Sequence, residues 1–311
     1  MHLTDEQMRQ QSHNLALQHD PVMRRASSAR LWKTIESDLD GLREFVKELH
    51  EDRSACAQPA EEWLLDHAEF IEAEALAIKE ERVAAIARQL PYISKKGELR
   101  VSAICSAYLE LKDGRWDEDS FAAFVNSYQE VSVLRIAEAW SIALFLKIEV
   151  IRRLSKLMET VRERRAVCKL SDRVLSGIPP SELTAERLKD ALEAAGEEMP
   201  LSGAMTAHLV QHLREYAEEA SEVAEWLICK LENGPDSLDQ ILSYEFQLQS
   251  AFQVSAGNLL SSLRKLSRLR GTALFERLSL VDRTLREERA GDFPRLDEAS
   301  RGVLRGRIER L

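Results

Sequence analysis

The chain has few of the residues that interrupt helices or build turns. Its 311 residues include 12 glycines and 8 prolines. Together these two residue types make up about 6% of the chain, roughly half of the usual share of about 12%. Sheet-rich folds and α/β enzymes need many glycine and proline turns, so this scarcity argues against both classes. It favours long helices with few breaks.

Basic residues are also fewer than acidic residues. The chain has 43 Lys and Arg against 53 Asp and Glu, for a formal net charge of −10. An acidic surface argues against a nucleic-acid partner and against general adhesion to anionic membranes. The balance is uneven, however, because residues 262–311 contain 13 basic and 8 acidic side chains, a net charge of +5.

No segment of the sequence is typical of secretion or of a membrane span. The N-terminus is polar and acidic, without the apolar run of a secretory signal. The longest uncharged run, Phe246–Leu263, contains eight Gln, Ser and Asn side chains and is too polar for a bilayer core. The four cysteines are scattered and form no Cys-x-x-Cys pair, which is typical of reduced thiols; they are Cys56, Cys105, Cys168 and Cys229. We therefore expect a cytoplasmic protein.

Apolar residues recur at helical spacing along most of the chain. Between Ser28 and Arg53 they form one stripe on a charged helix, namely Leu31, Trp32, Ile35, Leu39, Leu42, Phe45, Val46 and Leu49. We predict an all-α, multi-helix bundle of two packed helical subdomains. The predicted divisions are an N-terminal segment 1–27, a first subdomain 28–165, a linker or hinge 166–203, and a second subdomain 204–311. The predicted core includes Trp63, Trp140, Phe145 and Trp226.

Motifs for catalysis and cofactor binding are absent. There is no Gly-rich phosphate loop, dinucleotide turn or nucleophile elbow, and no histidine follows a Glu by three residues as a di-iron bundle requires. We therefore expect no catalytic residue and no cofactor. The best metal candidate is the pair His208 and His212, although Leu209 stands where a zinc peptidase has its Glu. The identity of a third ligand stays open, so we interpret the pair as two solvated or core histidines and expect no metal site.

Two surface features are candidates for an interface. The uncharged segment Val254–Asn258 has small side chains that allow close approach of another helix, and Gly257 costs about 1 kcal/mol inside a helix. The alternative is an internal helix crossing. The basic end of the chain is either a solvated helix face or a surface attracted to anionic lipid headgroups, and it lacks the interleaved aromatics of a nucleic-acid site. The candidate interface residues are Gln253, Ser255, Gly257, Asn258, Arg264, Arg286 and Arg301.

Three blocks of sequence follow one another in a recognisable order. The first runs from Ala60-Glu-Glu-Trp-Leu-Leu-Asp66 to Leu90-Pro91, and the second runs from Arg100-Val101 through Asp113-Gly114-Arg115 to Glu138-Ala-Trp140. The third joins Gln253-Val-Ser-Ala-Gly-Asn258 to Phe275-Glu276 and Leu285-Arg286. In this order and spacing, the blocks resemble the N-terminal helical region of bacterial cyclic β-1,2-glucan synthases, large membrane enzymes of the family 84 glycosyltransferase type. Departures at Gly271–Glu276 and Phe293–Glu298 mark the chain as diverged.

The resemblance implies an accessory role rather than catalysis. In that family, which makes β-1,2-glucan from UDP-glucose, the membrane spans and the sugar-transferring domain follow this region, so no catalytic residue is carried over. The implied function is a non-catalytic scaffolding or regulatory module at the inner face of the inner membrane. Its implied partner is the transferase or membrane portion of a synthase, in the same or another chain, and its basic end is a candidate for contact with anionic membrane. The alternative is a stand-alone helical adaptor. A carbohydrate-handling enzyme is disfavoured because aromatics are only 6% of the chain and mostly at core spacing.

Overall fold

Helices make up nearly all of the regular structure. A computed structural model of the protein describes residues 4–23, 28–51, 59–179, 182–194, 203–215, 238–287 and 292–308. The helices in these ranges are α1 (Asp5–Gln18), α2 (Ser28–Glu51), α3 (Pro59–Asp66), α4 (Ala68–Glu80), α5 (Val83–Ala87), α6 (Arg100–Leu111), α7 (Glu118–Gln129), α8 (Ile136–Ser176), α9 (Ala185–Ala194), α10 (Gly203–Glu215), α11 (Leu238–Arg268), α12 (Gly271–Leu278), α13 (Leu280–Arg286) and α14 (Glu298–Ile308). Two short strands, β1 (Pro21–Val22) and β2 (Tyr92–Ile93), pair antiparallel. The prediction of an all-α fold is confirmed.

Polar side chains determine where several helices begin. Thr4 and Gln7 form a capping box at α1, because Gln7 N donates to Thr4 Oγ1 at 3.3 Å and Thr4 N donates to Gln7 Oε1 at 2.9 Å. At α7, Asp117 Oδ1 accepts from Ser120 N at 2.9 Å. These bonds satisfy amide groups that would otherwise have no partner inside the helix.

The chain divides into two compact units, and the first comprises Met1–Arg43, Ala68–Ser155 and Gly257–Leu311. Its core is built largely from α6, α7 and the first half of α8, and its largest buried side chains there are Tyr108, Phe121, Phe124, Tyr128 and Phe145. Helix α1 packs on α7, where Ser12 Oγ donates to Phe124 O at 2.5 Å and Ser127 Oγ donates to Arg9 O at 3.1 Å. These two hydrogen bonds hold α1 against α7.

The second unit comprises Glu44–His67 and Lys156–Ala256. A hydrophobic cluster joins the end of α8 to α9 and α10, and its buried members are Val174, Leu175, Leu183, Leu188, Met205, Leu209, Val210 and Leu213. Elsewhere in the unit, the buried Arg165 guanidinium donates to the buried Glu61 carboxylate. The unit thus combines an apolar cluster with a charged pair that has little solvent around it.

These units differ from the consecutive domains predicted from sequence. Helix α8 runs without interruption from Ile136 to Ser176, across the predicted boundary at residue 165. Within the predicted linker or hinge 166–203, Val174, Leu175 and Leu188 belong to the apolar cluster. The predicted division of the chain stays a prediction.

The predicted core residues lie in three kinds of environment. Phe145 is completely buried. The prediction for Trp140 needs correction, because this side chain is 40% exposed: one ring face stacks on Phe275, with ring centroids 4.1 Å apart and planes inclined by 11°. Trp63 is half-buried and stacks on His67 at 4.6 Å, while Trp226 lies outside the described residues. A Trp at the margin of a core can bury one face and keep an edge in water.

Neither membrane spans nor exposed thiols are evident in the described ranges. None of the helices in them combines the length and the apolar character needed to cross a bilayer. Cys105 and Cys168 are buried, and burial raises the pKa of the Cys105 thiol well above its ordinary value. A thiol in this state stays protonated and unreactive. Cys56 and Cys229 lie outside the described residues.

Candidate functional site

A tight turn after α6 brings together two of the three blocks that carry the resemblance. Asp113 and Gly114 have positive φ angles of 50° and 76°. Asp tolerates this left-handed conformation better than most residues, and glycine adopts it without strain. Gly114 has a second reason to be glycine, since a Cβ atom there would lie 2.8 Å from Leu259 Cδ2. The turn therefore packs directly on α11.

Three hydrogen bonds fasten this turn to α11. Ser262 Oγ donates to Gly114 O at 2.8 Å and accepts from Trp116 N at 2.7 Å. Asn258 Nδ2 donates to Asp113 O at 3.1 Å. Ser262 and Trp116 are buried, so the two bonds of Ser262 satisfy backbone groups that solvent does not reach. Of the predicted interface residues, Asn258 is thus used inside the first unit.

Beside this turn lies a small polar cleft. Its volume is about 240 Å³, and it is lined by Leu111, Lys112, Asp113, Arg115, Trp116, Asp117, Asn258, Ser261, Ser262 and Lys265. Tyr108 lies nearby, where its hydroxyl donates to Asp117 O at 3.2 Å and burial raises its pKa. Ligand pockets usually measure about 300–1,000 Å³ and are mainly apolar. The cleft is smaller and more polar than that, so its geometry favours a structural joint over a substrate site.

The other predicted interface residues of α11 do not form part of this joint. Gly257 has no described atom within 4 Å of the position that a Cβ would occupy. Val254 is 59% exposed, Gln253 is exposed and Ser255 is half-buried. Because Gly257 and Ser261 are four residues apart, they lie on one face of α11 within the first unit. We call this face the outward stripe.

Arg286 and Arg301, predicted at an interface, pair with acidic residues of their own unit. Arg286 Nη2 lies 2.7 Å from Glu276 Oε2, and Arg301 Nη1 lies 3.1 Å from Glu276 Oε1. The guanidinium of Arg264, in contrast, is exposed and lies 5.7 Å from the ring centroid of Phe70. Much of the positive charge predicted for the C-terminal end is therefore compensated within the fold.

A buried arginine that the interface prediction did not single out organises this end of the unit. Arg305 is only 2% exposed. Its Nε donates to Asp282 Oδ1 at 2.5 Å, and its Nη1 donates to Glu298 Oε1 at 2.8 Å. Burial by itself lowers the pKa of Arg305, but these hydrogen bonds raise it overall, so the guanidinium stays charged. It also lies 4.8 Å from the ring centroid of Phe275, a cation–π distance.

The structure supplies a third partner for the candidate histidine pair. His208 Nε2 lies 2.7 Å from Asp172 Oδ1, and His212 Nε2 lies 3.4 Å from the same oxygen. The two imidazole ring centroids are 4.7 Å apart. Asp172 is on α8, whereas both histidines are on α10. Because 36 residues separate Asp172 from His208, no local motif in the sequence could have joined them.

Taken together, fold and site define an all-α helical protein in which the cleft beside Gly114 favours a structural joint. No family model matches the chain. Over 268 residues, 83% of its length, the chain is 28% identical to the cyclic beta-(1,2)-glucan synthase NdvB of Rhizobium meliloti (strain 1021). The match covers 9% of NdvB, so the chain spans only a small part of that protein's length. This similarity supports a relation between the two, and the predicted resemblance is confirmed.

Proposed function

We propose that this chain is a non-catalytic helical accessory module of a cyclic β-1,2-glucan synthase, which scaffolds or regulates the sugar-transferring portion. The observation that carries the proposal is the extent of the match to NdvB: it includes 83% of this chain but only 9% of the synthase. A segment of that size, all helical and with a small polar cleft, suits a supporting module. In this proposal, synthesis of glucan from UDP-glucose takes place in another part of the synthase.

The outward stripe of α11 is the proposed contact with the transferase portion. Gly257 weakens its helix by roughly 0.5–1 kcal/mol relative to alanine, and no described side chain packs into the space beside it. A partner helix that approaches the stripe closely would compensate for this weakness. On the same helix, Asn258 and Ser262 hold α11 against the turn at Gly114, which gives the stripe a rigid base.

The proposed position is the cytoplasmic side of the membrane. Arg264, Lys265 and Arg268 are exposed near the C-terminal end of α11. Exposed basic residues are enriched beside the cytoplasmic ends of membrane spans and are attracted to anionic lipid. They make this end of α11 the part of the module that lies nearest to the headgroups.

Replacement of one glycine tests the contact. We expect Gly257→Leu, introduced into the chromosome of the native organism, to lower the amount of cyclic glucan in cell extracts several-fold. The purified 311-residue variant should melt at or slightly above the wild-type temperature, because a Cβ atom there meets no described atom outside its own helix and loss of a helical glycine is favourable. The matched control is Gly302→Leu on α14, where a Cβ atom likewise has no neighbour within 4 Å; it should lower neither the amount of glucan nor the melting temperature.

Other results would contradict the proposal. Normal glucan synthesis with Gly257→Leu would rule out the proposed contact. A lowered melting temperature would show that any loss of synthesis comes from impaired folding. Turnover of UDP-glucose by the purified chain alone would refute a non-catalytic role. In a fractionated lysate, an antibody against the chain should detect it with the membranes. A cytosolic form with no effect on glucan would instead indicate a stand-alone adaptor.

A further inference from the structure

We propose that Asp172, His208 and His212 form a binding site for a transition-metal ion, with Zn²⁺ as the expected occupant. The site joins the C-terminal part of α8 to α10 within the second unit. It is independent of the proposed contact on α11, so either proposal can fail while the other stands.

The arrangement of ligand atoms already approaches that of a metal site. One atom from each of the three side chains lies within 4.8 Å of the other two. Both Nε2 atoms approach the same carboxylate oxygen, at 2.7 and 3.4 Å. In a tetrahedral zinc site with bonds of 2.0–2.2 Å, ligand atoms are about 3.3 Å apart. Small rotations of the side chains would therefore place all three around one ion.

The backbone beneath the site is fixed by apolar packing. His208 and His212 are four residues apart on α10, so their side chains lie on one face. Leu209 and Leu213, which directly follow the two histidines, are buried in the hydrophobic cluster, and Val174 lies in the same cluster two residues after Asp172. Apolar contacts thus hold the two helices together, so metal binding need not provide the free energy that folds the site.

The donor set and its exposure determine which ion fits. Two imidazole nitrogens and one carboxylate oxygen suit Zn²⁺ and similar ions, whereas Mg²⁺ and Ca²⁺ prefer oxygen ligands throughout. The side chains of His208, His212 and Asp172 are 14%, 30% and 33% exposed. An ion can therefore reach the site from solvent, and three protein ligands leave a fourth position for water or another group. The ion would cross-link α8 to α10.

Zinc titration of the purified 311-residue chain tests the site. After treatment with a chelator, we expect calorimetry to show one equivalent of Zn²⁺ bound per chain, and Co²⁺ to give the visible absorption of a tetrahedral N/O site. His208→Ala and His212→Ala should each weaken zinc binding by at least about 100-fold, since loss of even an outer partner of a metal ligand weakens binding by about 10- to 100-fold. The matched control His13→Ala removes a half-buried histidine of α1 and should leave the affinity unchanged.

A conservative variant separates binding from folding. Asp172→Asn can still bond to the histidines but lacks the anionic oxygen, so we expect a wild-type circular dichroism spectrum together with weakened zinc binding. Zn²⁺ should raise the melting temperature of the wild type but not of Asp172→Asn, and Mg²⁺ should raise neither. Absence of saturable zinc binding by the wild type would overturn the proposal. Binding that all three ligand variants retain would overturn it as well.

Discussion

The buried pair of Arg100 and Glu138 allows a quantitative test of the first unit. Both side chains are almost inaccessible, at 3% and 0% exposure. Arg100 Nε donates to Glu138 Oε1 at 2.8 Å, and its Nη2 donates to Glu138 Oε2. Arg100 Nη1 also donates to Ser132 Oγ at 2.8 Å. A charge held in this way depends on its partner, because solvent cannot replace the partner.

Removal of one partner should therefore be much more harmful than removal of both. We expect Glu138→Ala to destabilise the unit by about 3–5 kcal/mol, since it leaves the Arg100 guanidinium buried without a counter-charge. The double variant Arg100→Met, Glu138→Leu has no buried charge and should be destabilised by less than about 2 kcal/mol. Replacing a buried ion pair by apolar residues of similar volume often leaves the free energy of unfolding nearly unchanged.

Hydrogen exchange measured by mass spectrometry is the appropriate assay, because a global melt of a two-unit protein mixes two transitions. Protection of α6 and of residues 136–155 reports the free energy of opening of the first unit, while protection of α10 in the second unit is the internal reference. Protection of α10 should not change. The reasoning is refuted if Glu138→Ala reduces protection by less than about 1 kcal/mol, or if the double variant loses as much as the two single variants combined.

Three further predictions concern single positions of the first unit. Gly114→Ala should reduce the hydrogen-exchange protection of α6 by about 2–4 kcal/mol, because the new Cβ meets Leu259 at 2.8 Å and the backbone is left-handed. Gly302→Ala on the exposed face of α14 should instead be neutral or slightly stabilising. Burial lowers the pKa of His19 from 6.5 to about 4. The folded state thus favours the neutral ring. This preference should add up to about 3 kcal/mol to the free energy of unfolding above pH 6.5 and should be lost as the pH falls towards 4. In melts at different pH values, His19→Gln should show a weaker dependence of the melting temperature on pH. Thr4→Ala removes the capping box of α1 and should reduce hydrogen-exchange protection of that helix by about 1 kcal/mol, with no change in α10.

The helices could be predicted from the sequence because their signal is local. The stripe predicted for the first long helix is the clearest example, since Ile35, Leu39, Leu42, Phe45 and Val46 are all buried in α2. Each residue of such a stripe is recognised from neighbours three or four positions away. Local periodicity therefore sufficed for the all-α fold class.

The site residues depended on contacts between distant segments, which periodicity does not report. The sequence singles out His208 and His212, but Asp172 lies on another helix, within the region 166–203 that is predicted as a linker. The arginines of the basic end are similar: the sequence indicates their charge, but not that Glu276 lies within reach of both Arg286 and Arg301. Such pairings depend on tertiary packing and could not be read from one sequence.

The three-segment composition of the first unit has a consequence for the order in which the protein folds during synthesis. Its second segment ends at Ser155 and its third begins at Gly257. At about 5–20 residues per second, a ribosome needs roughly 5–20 s to make the intervening chain. During that interval the turn at Gly114 lacks its contacts with Leu259 and Ser262. The apolar side chains that pack against the last segment in the folded protein are then exposed to water. A nascent chain in this condition is a natural client for a chaperone, and translation pauses before Gly257 should prolong that dependence.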